Sequence, residues 1–530
     1  MRSARTMRRH SALAMVAALG LTGPTLLPLP AFAQDDATGQ DSGGYYATPP
    51  PVDPGQRPQD SGGPDKTYEQ STGCVRRNLE YNEDIQNAPW GQQYLRLDEV
   101  HDLMRSTTGH VGAFSENEPV KVAVIDTGVR PHAHFQDRVQ GIGDYVDPSD
   151  NGLEDCDGHG TEVAGIIAAD TPEDIGFTGV APDAQILSIR QSSQNFTPAD
   201  EDSGAGGGGD DDSGDEGGAG GDGDGDGAGG GESPRGTGPS QDSRTQDGEG
   251  AGTLNTLAQA IVNAANADAD VLNISINHCR PSNGSITEDE QALQAAIDYA
   301  VRERNMVIVS AAGNASESTR CQQNDQALSE RPTTIVTPPW FSDDVLSVGA
   351  IDNTGGVADF SMHGPWVSVA APGTDIISLD PAEGSDGLAN MMVDQGEPQP
   401  IKGTSFAAPY VAGLAALVRA KYPELDAYEV MHRIEFTAQH PAAAGGRDNF
   451  VGYGVIDPMA ALTATVPSEE EMPPARAESL PSDMPPPDNR NWTPTVVALI
   501  GSGGALAALA VTLFVVHTLR RNQKGDTARA

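Results

Sequence analysis

A serine that leads directly into a long apolar helix is the feature that most constrains this fold. Residues 403–409 read Gly-Thr-Ser-Phe-Ala-Ala-Pro, and residues 410–418 continue as small and apolar side chains. Such a run predicts a helix packed deep inside a domain. Ser405 then lies at the helix N-terminus, where free backbone N–H groups and the helix dipole favour developing negative charge. Because serine is also a favoured N-cap, this stretch alone does not separate a nucleophile from a cap.

An aspartate and a histidine stand in two comparable settings. Asp126 follows the apolar run 122–125 and precedes Gly128, which predicts a position at the C-terminal end of a buried strand. Sites in α/β sheets are built at those strand ends. His159 is flanked by glycines and opens the apolar helical run 162–169. Taken singly, the two residues are equally explained as a turn aspartate and a loop histidine without a chemical role.

The order Asp126, His159, Ser405 is one of the known chain orders of the serine-protease triad. His159 can take the proton of Ser405 near neutral pH, and Asp126 can hold the imidazole in the correct tautomer. Residues 306–311 predict a strand that leads to Asn314, whose amide can donate to an oxyanion beside the Ser405 backbone N–H. The combination therefore predicts acyl-transfer chemistry.

These four motifs resemble the signature blocks of the subtilisin-like serine proteases, in the order found in that family, over residues 118–465. The resemblance implies an α/β fold, namely a mostly parallel sheet with helices on both faces, which the alternating strand and helix patterns after residue 185 also predict. It implies roles for the triad Asp126, His159 and Ser405, for the oxyanion donor Asn314, and for the substrate-binding residues Ser275, Ile276 and Asn277. The chain departs from the usual pattern at Phe406, where many subtilases have Met, and at Asn277, where the substrate-lining strand usually ends in Gly.

The N-terminus predicts export. Residues 1–33 combine four arginines, an apolar core and an Ala-Phe-Ala cleavage site, as a signal peptide does. We assign residues 34–117 to an N-terminal extension, and the Gly- and Pro-rich composition of residues 34–65 predicts disorder there.

Four cysteines, at positions 74, 156, 279 and 321, contain no Cys-x-x-Cys pair, so a zinc site is not expected. An even number in an exported protein favours two disulfides, for which three connectivities exist. We predict Cys74–Cys156, which would join the extension to the region before His159, and Cys279–Cys321.

A Gly-, Asp- and Ser-rich insertion, residues 192–252, interrupts the peptidase region. It holds too little apolar surface to fold, so we predict a disordered surface loop. Its Asp-Gly repeat at 222–227 lacks the spacing and flanking helices of an EF-hand. We predict no metal site and no cofactor.

The C-terminal region predicts a membrane anchor. Residues 466–493 form a Pro-rich linker, and residues 496–516 lack any charge, which is long enough to cross a hydrocarbon core of ~30 Å. We predict a transmembrane helix at 494–517 and a basic cytoplasmic tail at 518–530, with the catalytic domain extracytoplasmic at the cell membrane. The formal net charge of −44 argues against nucleic acid as a partner.

This architecture, together with residues 155–161 and 403–409, resembles the mycosins, the membrane-anchored subtilases of type VII secretion systems. The resemblance implies a serine endopeptidase that acts on protein substrates and associates with the secretion membrane complex. Two alternatives remain open from the sequence: a mainly structural stabiliser of that complex, and a general cell-surface protease.

Overall fold

The structure is a computed structural model that describes residues 48–75, 85–199, 250–316, 320–324, 331–394, 397–469 and 493–526. Its strands, in chain order, are β1 (Tyr68–Gln70), β2 (Ala113–Ser115), β3 (Glu118–Pro119), β4 (Lys121–Asp126), β5 (Val139–Asp144), β6 (Gln185–Arg190), β7 (Phe196–Pro198), β8 (Val271–Ile274), β9 (His278–Pro281), β10 (Val307–Ala311), β11 (Thr334–Thr337), β12 (Leu346–Ile351), β13 (Val369–Pro372), β14 (Ser378–Leu379), β15 (Leu388–Ala389), β16 (Met391–Asp394) and β17 (Glu397–Pro400). Its α-helices are α1 (Trp90–Leu95), α2 (Leu97–Thr107), α3 (His159–Ala168), α4 (Leu254–Asn266), α5 (Glu288–Asp298), α6 (Thr404–Lys421), α7 (Ala427–Thr437), α8 (Pro458–Thr463) and α9 (Thr493–Asp526).

A seven-stranded sheet forms the centre of the molecule, in the order β13-β12-β10-β8-β4-β6-β5. Every neighbouring pair in it is parallel. β8, β10 and β12 are buried along their whole length, because helices cover both faces of the sheet and exclude water from either side. The prediction of a mostly parallel α/β sheet is confirmed.

Two pairs of helices cover this sheet. α3 packs on α6, and α4 packs on α5. In α6 every residue from Thr404 to Ala420 is buried, which explains why its sequence is apolar on all sides rather than amphipathic. α3 and α6 begin at the edge of the sheet where β4 and β10 end. The ends of these strands and the N-termini of these helices therefore lie along the same edge.

The described part of the N-terminal extension is built into the unit that contains the seven-stranded sheet. Leu97, Val100 and Met104 of α2 are buried in the main core, and the described residues up to 466 form one compact unit. The predicted disorder of residues 34–65 is wrong for residues 48–65, while residues 34–47 lie outside the described part.

Side chains of α4, α5 and the loop after β5 hold residues 48–65 in place. Tyr145 donates to Asp60 at 2.7 Å, and Gln294 on α5 donates to the Pro50 carbonyl at 2.8 Å. The Ser61 backbone N–H donates to Gln259 on α4 at 3.0 Å. The segment has no core of its own, so composition alone could not reveal that polar groups of two distant helices order it.

The structure describes both ends of the predicted disordered loop 192–252. Ser193 pairs with Ala251 as an isolated bridge, and β7 pairs with β1 of the extension in antiparallel register. Phe196 is 6 % exposed and contacts the buried Arg190. The predicted loop is therefore ordered at both ends, and residues 200–249 lie outside the described part.

Residues 467–530 form a second unit, whose main described element is α9. This helix continues to Asp526, past the predicted end of the span at 517. Within the described residues, no helix combines the length and the apolar composition needed to cross a bilayer. The predicted signal peptide, residues 1–33, and most of the predicted linker, residues 470–492, lie outside the described part.

Candidate active site

Asp126 and His159 meet at the C-terminal edge of the sheet. Asp126 is the last residue of β4 and is 1 % exposed, whereas His159 is the first residue of α3. The Nδ1 atom of His159 lies 2.7 Å from Oδ1 of Asp126, and the same oxygen accepts the Thr127 backbone N–H at 2.7 Å. The aspartate therefore holds the imidazole with Nε2 directed away from it.

The charge on His159 follows from this contact. Burial disfavours the imidazolium, but the negative charge of Asp126 and its hydrogen bond outweigh burial and raise the pKa of His159 to about 8. A base whose pKa lies this close to neutral can both take and return a proton.

A sharp turn allows β4 to end beside His159. Gly128 has a φ of +104°, and a Cβ atom there would lie 1.9 Å from the carbonyl oxygen of Glu154. Only glycine fits this approach without moving the backbone. The glycine seen in the sequence thus brings the loop containing residue 154 against the end of β4.

Ser405 lies at the N-terminus of α6, as predicted, and is 6 % exposed. Gly403, the N-cap of α6 two residues before Ser405, has a φ of +154°, and a Cβ atom there would lie 3.0 Å from Ser405 Oγ and 3.5 Å from Asn314 Nδ2. These two polar atoms therefore border the same small space. The side chain of any residue other than glycine at position 403 would occupy this space.

Asn314 is oriented by the helix that carries Ser405. Its Oδ1 accepts the Thr404 backbone N–H at 2.9 Å and the Thr404 hydroxyl at 3.1 Å. The Thr404 hydroxyl also accepts the Gly313 backbone N–H at 3.2 Å. Because the amide oxygen is engaged in this way, the amide nitrogen is the end that remains available to a ligand.

Phe406, the residue after Ser405, packs against the ring of His159. Its ring centroid lies 4.9 Å from that of His159, and its side chain is 2 % exposed. The residue at which the chain departs from many subtilases therefore packs on the candidate base.

The three predicted substrate-binding residues follow β8, and the first of them contacts Ser405. Ser275 donates to the Ser405 carbonyl at 3.0 Å, and Asn277 donates to the Ala311 carbonyl at 2.7 Å. Ile276 is 5 % exposed. The strand ends at Ile274, two residues earlier than the apolar pattern predicts.

Both predicted disulfides are present, and all four cysteines are paired as predicted. Cys74–Cys156 joins the extension to the loop before His159, where the Val75 backbone N–H also donates to the Cys156 carbonyl at 2.9 Å. The extension is therefore covalently bound three residues from the candidate base.

The described residues contain no group of three or more His, Cys, Asp or Glu side chains that could hold a metal ion. The Asp-Gly repeat at 222–227 lies outside them.

Sequence reasoning missed Asp155, which is 2 % exposed and accepts four hydrogen bonds from residues around His159. Burial raises the pKa of Asp155 to about 6 against the opposing effect of those bonds. An acid four residues before the histidine is the only signal that the sequence offers, and it is weak because loop acids are common.

Comparisons with known proteins bear on this geometry. A model of the subtilase family matches residues 117–454. Mycosin-1 of Mycolicibacterium smegmatis is 38 % identical over 490 residues, covering 90 % of this chain and 94 % of that protein. A solved structure of the serine protease MycP1, described as an essential component of the type VII (ESX-1) secretion system, is similar with a TM-score of 0.64 and 38 % identity. It covers 79 % of this chain and 100 % of its own.

A chain in the structure of an intact ESX-5 inner membrane complex is similar with a TM-score of 0.65 and 37 % identity. The similarity covers 88 % of this chain and 99 % of that one.

Proposed function

Because this chain belongs to the subtilase family of serine proteases, and within it to the mycosins, we propose that it hydrolyses peptide bonds with Asp126, His159 and Ser405. Ser405 Oγ attacks the peptide carbonyl carbon while His159 takes the serine proton. The tetrahedral intermediate collapses to an acyl-enzyme, and His159 returns the proton to the departing amine. Water then repeats the sequence and releases the acid.

The single observation that carries this proposal is the 2.7 Å contact between His159 Nδ1 and Asp126 Oδ1. It leaves Nε2 as the nitrogen that accepts the serine proton, and it stabilises the imidazolium that forms. The base works only when neutral, so activity rises with pH through the His159 pKa of about 8.

The oxyanion receives its hydrogen bonds from Asn314 Nδ2 and the Ser405 backbone N–H. Support for Asn314 comes from its engaged Oδ1, which directs the amide nitrogen toward the space beside Ser405 Oγ. Such a preorganised donor acts on charge that develops only in the transition state.

Residues 275–277 bind the substrate, and they do so through their backbone. The side chains of Ser275 and Asn277 already donate to carbonyls of the protein, which leaves the backbone groups of this segment to pair with an extended peptide.

The physiological setting is type VII secretion at the cell membrane, with protein substrates. Two similar chains are described as an essential component of the ESX-1 system and as part of the ESX-5 inner membrane complex. Residues 1–33 act as a signal peptide. Residues 494–517 are the single anchor, because the run 496–516 carries no charge, and residues 518–530 are the cytoplasmic tail after the linker 466–493.

Within this arrangement residues 118–465 are the peptidase domain, preceded by the extension 34–117, and both lie outside the cytoplasm. A second function, stabilisation of the secretion complex, is favoured by one observation. A similar chain is present as part of an intact inner membrane complex. Proteolysis and stabilisation can coexist in one chain.

Comparison of exported proteins from three strains tests these functions. The strains are the wild type, a deletion of the gene, and the deletion complemented with Ser405→Ala. If Ser405→Ala fails to restore exported proteins or leaves one substrate uncut, proteolysis is required.

If Ser405→Ala restores every exported protein lost in the deletion, the chain acts as a stabiliser. If the deletion changes no export at all, the link with type VII secretion is wrong, and a general cell-surface protease is the better description. Fluorophosphonate labelling of the full-length protein, lost in Ser405→Ala, checks the nucleophile separately from the role.

A further inference from the structure

One buried carboxylate ties together the three chain segments that surround His159. Asp155 Oδ1 accepts the Thr127 hydroxyl at 2.8 Å and the Gly158 backbone N–H at 2.7 Å. Its Oδ2 accepts both the backbone N–H of Thr161 at 2.8 Å and the hydroxyl of the same residue at 2.7 Å. All four acceptor positions of this carboxylate face donors from the end of β4 or the start of α3.

The bonds bracket His159 on both sides. The Gly158 N–H goes to Asp155, and the Gly160 N–H goes to the Thr127 hydroxyl at 3.0 Å. Thr127 is in turn the neighbour of Asp126 in the chain. The backbone on each side of the histidine is therefore held to Thr127, whose own backbone N–H donates to Oδ1 of Asp126 at 2.7 Å.

From this geometry we infer that Asp155 and Thr127 are positioning residues that set the His159–Asp126 contact. The inference rests on the proposed triad, and it adds two residues that act through the backbone of His159. Neither contacts the reacting atoms, so neither is catalytic in its own right.

The chemistry of the site requires a carboxylate at position 155. Gly158, the N-cap of α3, offers no side chain to the free N–H groups of the helix, and Asp155 supplies the missing acceptor with a charge that suits a helix N-terminus. An asparagine would turn its NH2 group toward the Gly158 N–H on one side or the Thr161 N–H on the other. Two donors would then face each other without an acceptor.

Thr127 offers the sharper test because its substitution changes no charge. The charged groups around His159 are Asp126, Asp155, Asp157 and Glu162. Thr127→Val removes the hydroxyl that links Asp155 to Gly160 and leaves all four in place. A change in the titration of His159 then does not come from removal of a charged group. Loss of this hydrogen bond also raises the pKa of Asp155, so the variant is compared with Thr161→Val, which removes another bond to the same carboxylate.

The experiment measures the rate of fluorophosphonate labelling of the full-length protein between pH 5.5 and 9.5, with the end-point stoichiometry giving the folded fraction. Labelling requires the base, because Ser405 Oγ bonds to phosphorus, fluoride leaves, and the serine proton passes to His159. We expect Thr127→Val to label ~10–100-fold more slowly per folded molecule. We also expect a shift in its acid limb, the part of the pH–rate profile in which the rate rises as His159 loses its proton. The midpoint of this limb should move from about 8 toward the ordinary histidine pKa of about 6.5.

Three matched variants complete the design. Thr127→Ser restores the hydroxyl and should return both rate and acid limb to the wild-type values. Thr161→Val removes one bond to Asp155 and the acceptor of the Arg130 backbone N–H, but keeps the link to Gly160, and should shift both in the same direction by less. Thr256→Val is the control, because that buried hydroxyl also accepts one backbone N–H and donates to a carbonyl, at the start of α4.

The outcomes separate this inference from the proposed function. If Ser405→Ala still labels, the triad itself is wrong. If Ser405→Ala does not label but Thr127→Val keeps the wild-type rate and acid limb, the triad stands and the positioning role is wrong. A slower Thr127→Val with an unmoved acid limb, or an equal loss in Thr256→Val, also overturns the inference, since neither result would come from a change in the His159–Asp126 contact.

Discussion

The two sides of the candidate active site are held in different ways. We call Asp126, Thr127, Asp155 and His159 the histidine side, and Gly313, Asn314, Thr404 and Ser405 the serine side. On the histidine side buried carboxylates accept the bonds that hold the backbone. On the serine side the bonds run only between neutral amides and hydroxyls.

Because of this difference, the position of His159 depends on pH, whereas the position of Ser405 depends on packing. The position of Ser405 is set by α6, whose residues from Thr404 to Ala420 are buried, and apolar packing does not titrate. The position and charge of His159 depend on carboxylates whose interactions strengthen in a buried setting. Changes on the histidine side should therefore alter both the rate and its pH dependence, and changes on the serine side only the rate.

The largest expected effect on this comparison comes from Asp126→Asn. Loss of the charge lets the imidazole take the wrong tautomer, and a fall of ~10⁴ in turnover is typical of such a change. The acid limb should move below 8, because the charge that raises the pKa of His159 is gone. Labelling rates across pH give both quantities.

Asp144→Asn is the matched control for this variant. Asp144 is likewise the buried last residue of its strand, but it pairs with Arg190 and not with the histidine. It should lower stability while the rate per folded molecule stays within a few-fold. An acid limb that moves equally in both variants would mean that the contact with Asp126 does not set the pKa.

Asn314→Ala should have the next largest effect. Loss of one oxyanion donor lowers turnover by ~10²–10³. Because the residue is neutral and lies on the serine side, the acid limb should remain at about 8. Peptide hydrolysis across pH measures both, once a substrate has been found among the exported proteins.

Asn324→Ala serves as the control for Asn314→Ala. Asn324 is a buried asparagine that hydrogen-bonds Thr333 and Thr334, and its loss should affect stability alone. Comparable losses of turnover per folded molecule in both variants would remove the case for an oxyanion donor at 314.

The smallest effect is expected from Ser275→Ala. It removes the neutral hydrogen bond to the Ser405 carbonyl and the acceptor of the Asn273 amide, and each such bond typically contributes about 0.5–1.5 kcal/mol. We expect a loss of stability of that order, measured by denaturant unfolding, and a change of less than ~10-fold in the labelling rate. A far larger change in rate would show that the serine side depends on this bond more than on the packing of α6.

Sequence alone predicts those parts of the molecule that a local pattern of apolar residues, glycines or cysteines marks. Asp126, His159 and Ser405 each lie at a strand end or helix start that periodicity and glycines mark, and both cysteine pairs form as predicted. The edge strand β5 is missed because Val139–Asp144 contains two glycines and alternates little.

Long-range polar contacts account for the remaining failures. The docking of residues 48–65 depends on Gln259 and Gln294, which lie 198 and 244 residues beyond their partners in the chain. The role of Asp155 depends on four donors that converge only in the folded state. Hydrophobic pattern carries no information about either.

The most direct test of this account is the pH dependence of fluorophosphonate labelling for the wild type, Asp126→Asn and Asn314→Ala, measured side by side. We predict a wild-type acid limb at about 8, a lower one for Asp126→Asn, and an unchanged one for a slower Asn314→Ala. If Asn314→Ala moves the acid limb, or Asp126→Asn leaves it at 8, the pH dependence of the reaction does not come from the histidine side alone, and this account is wrong.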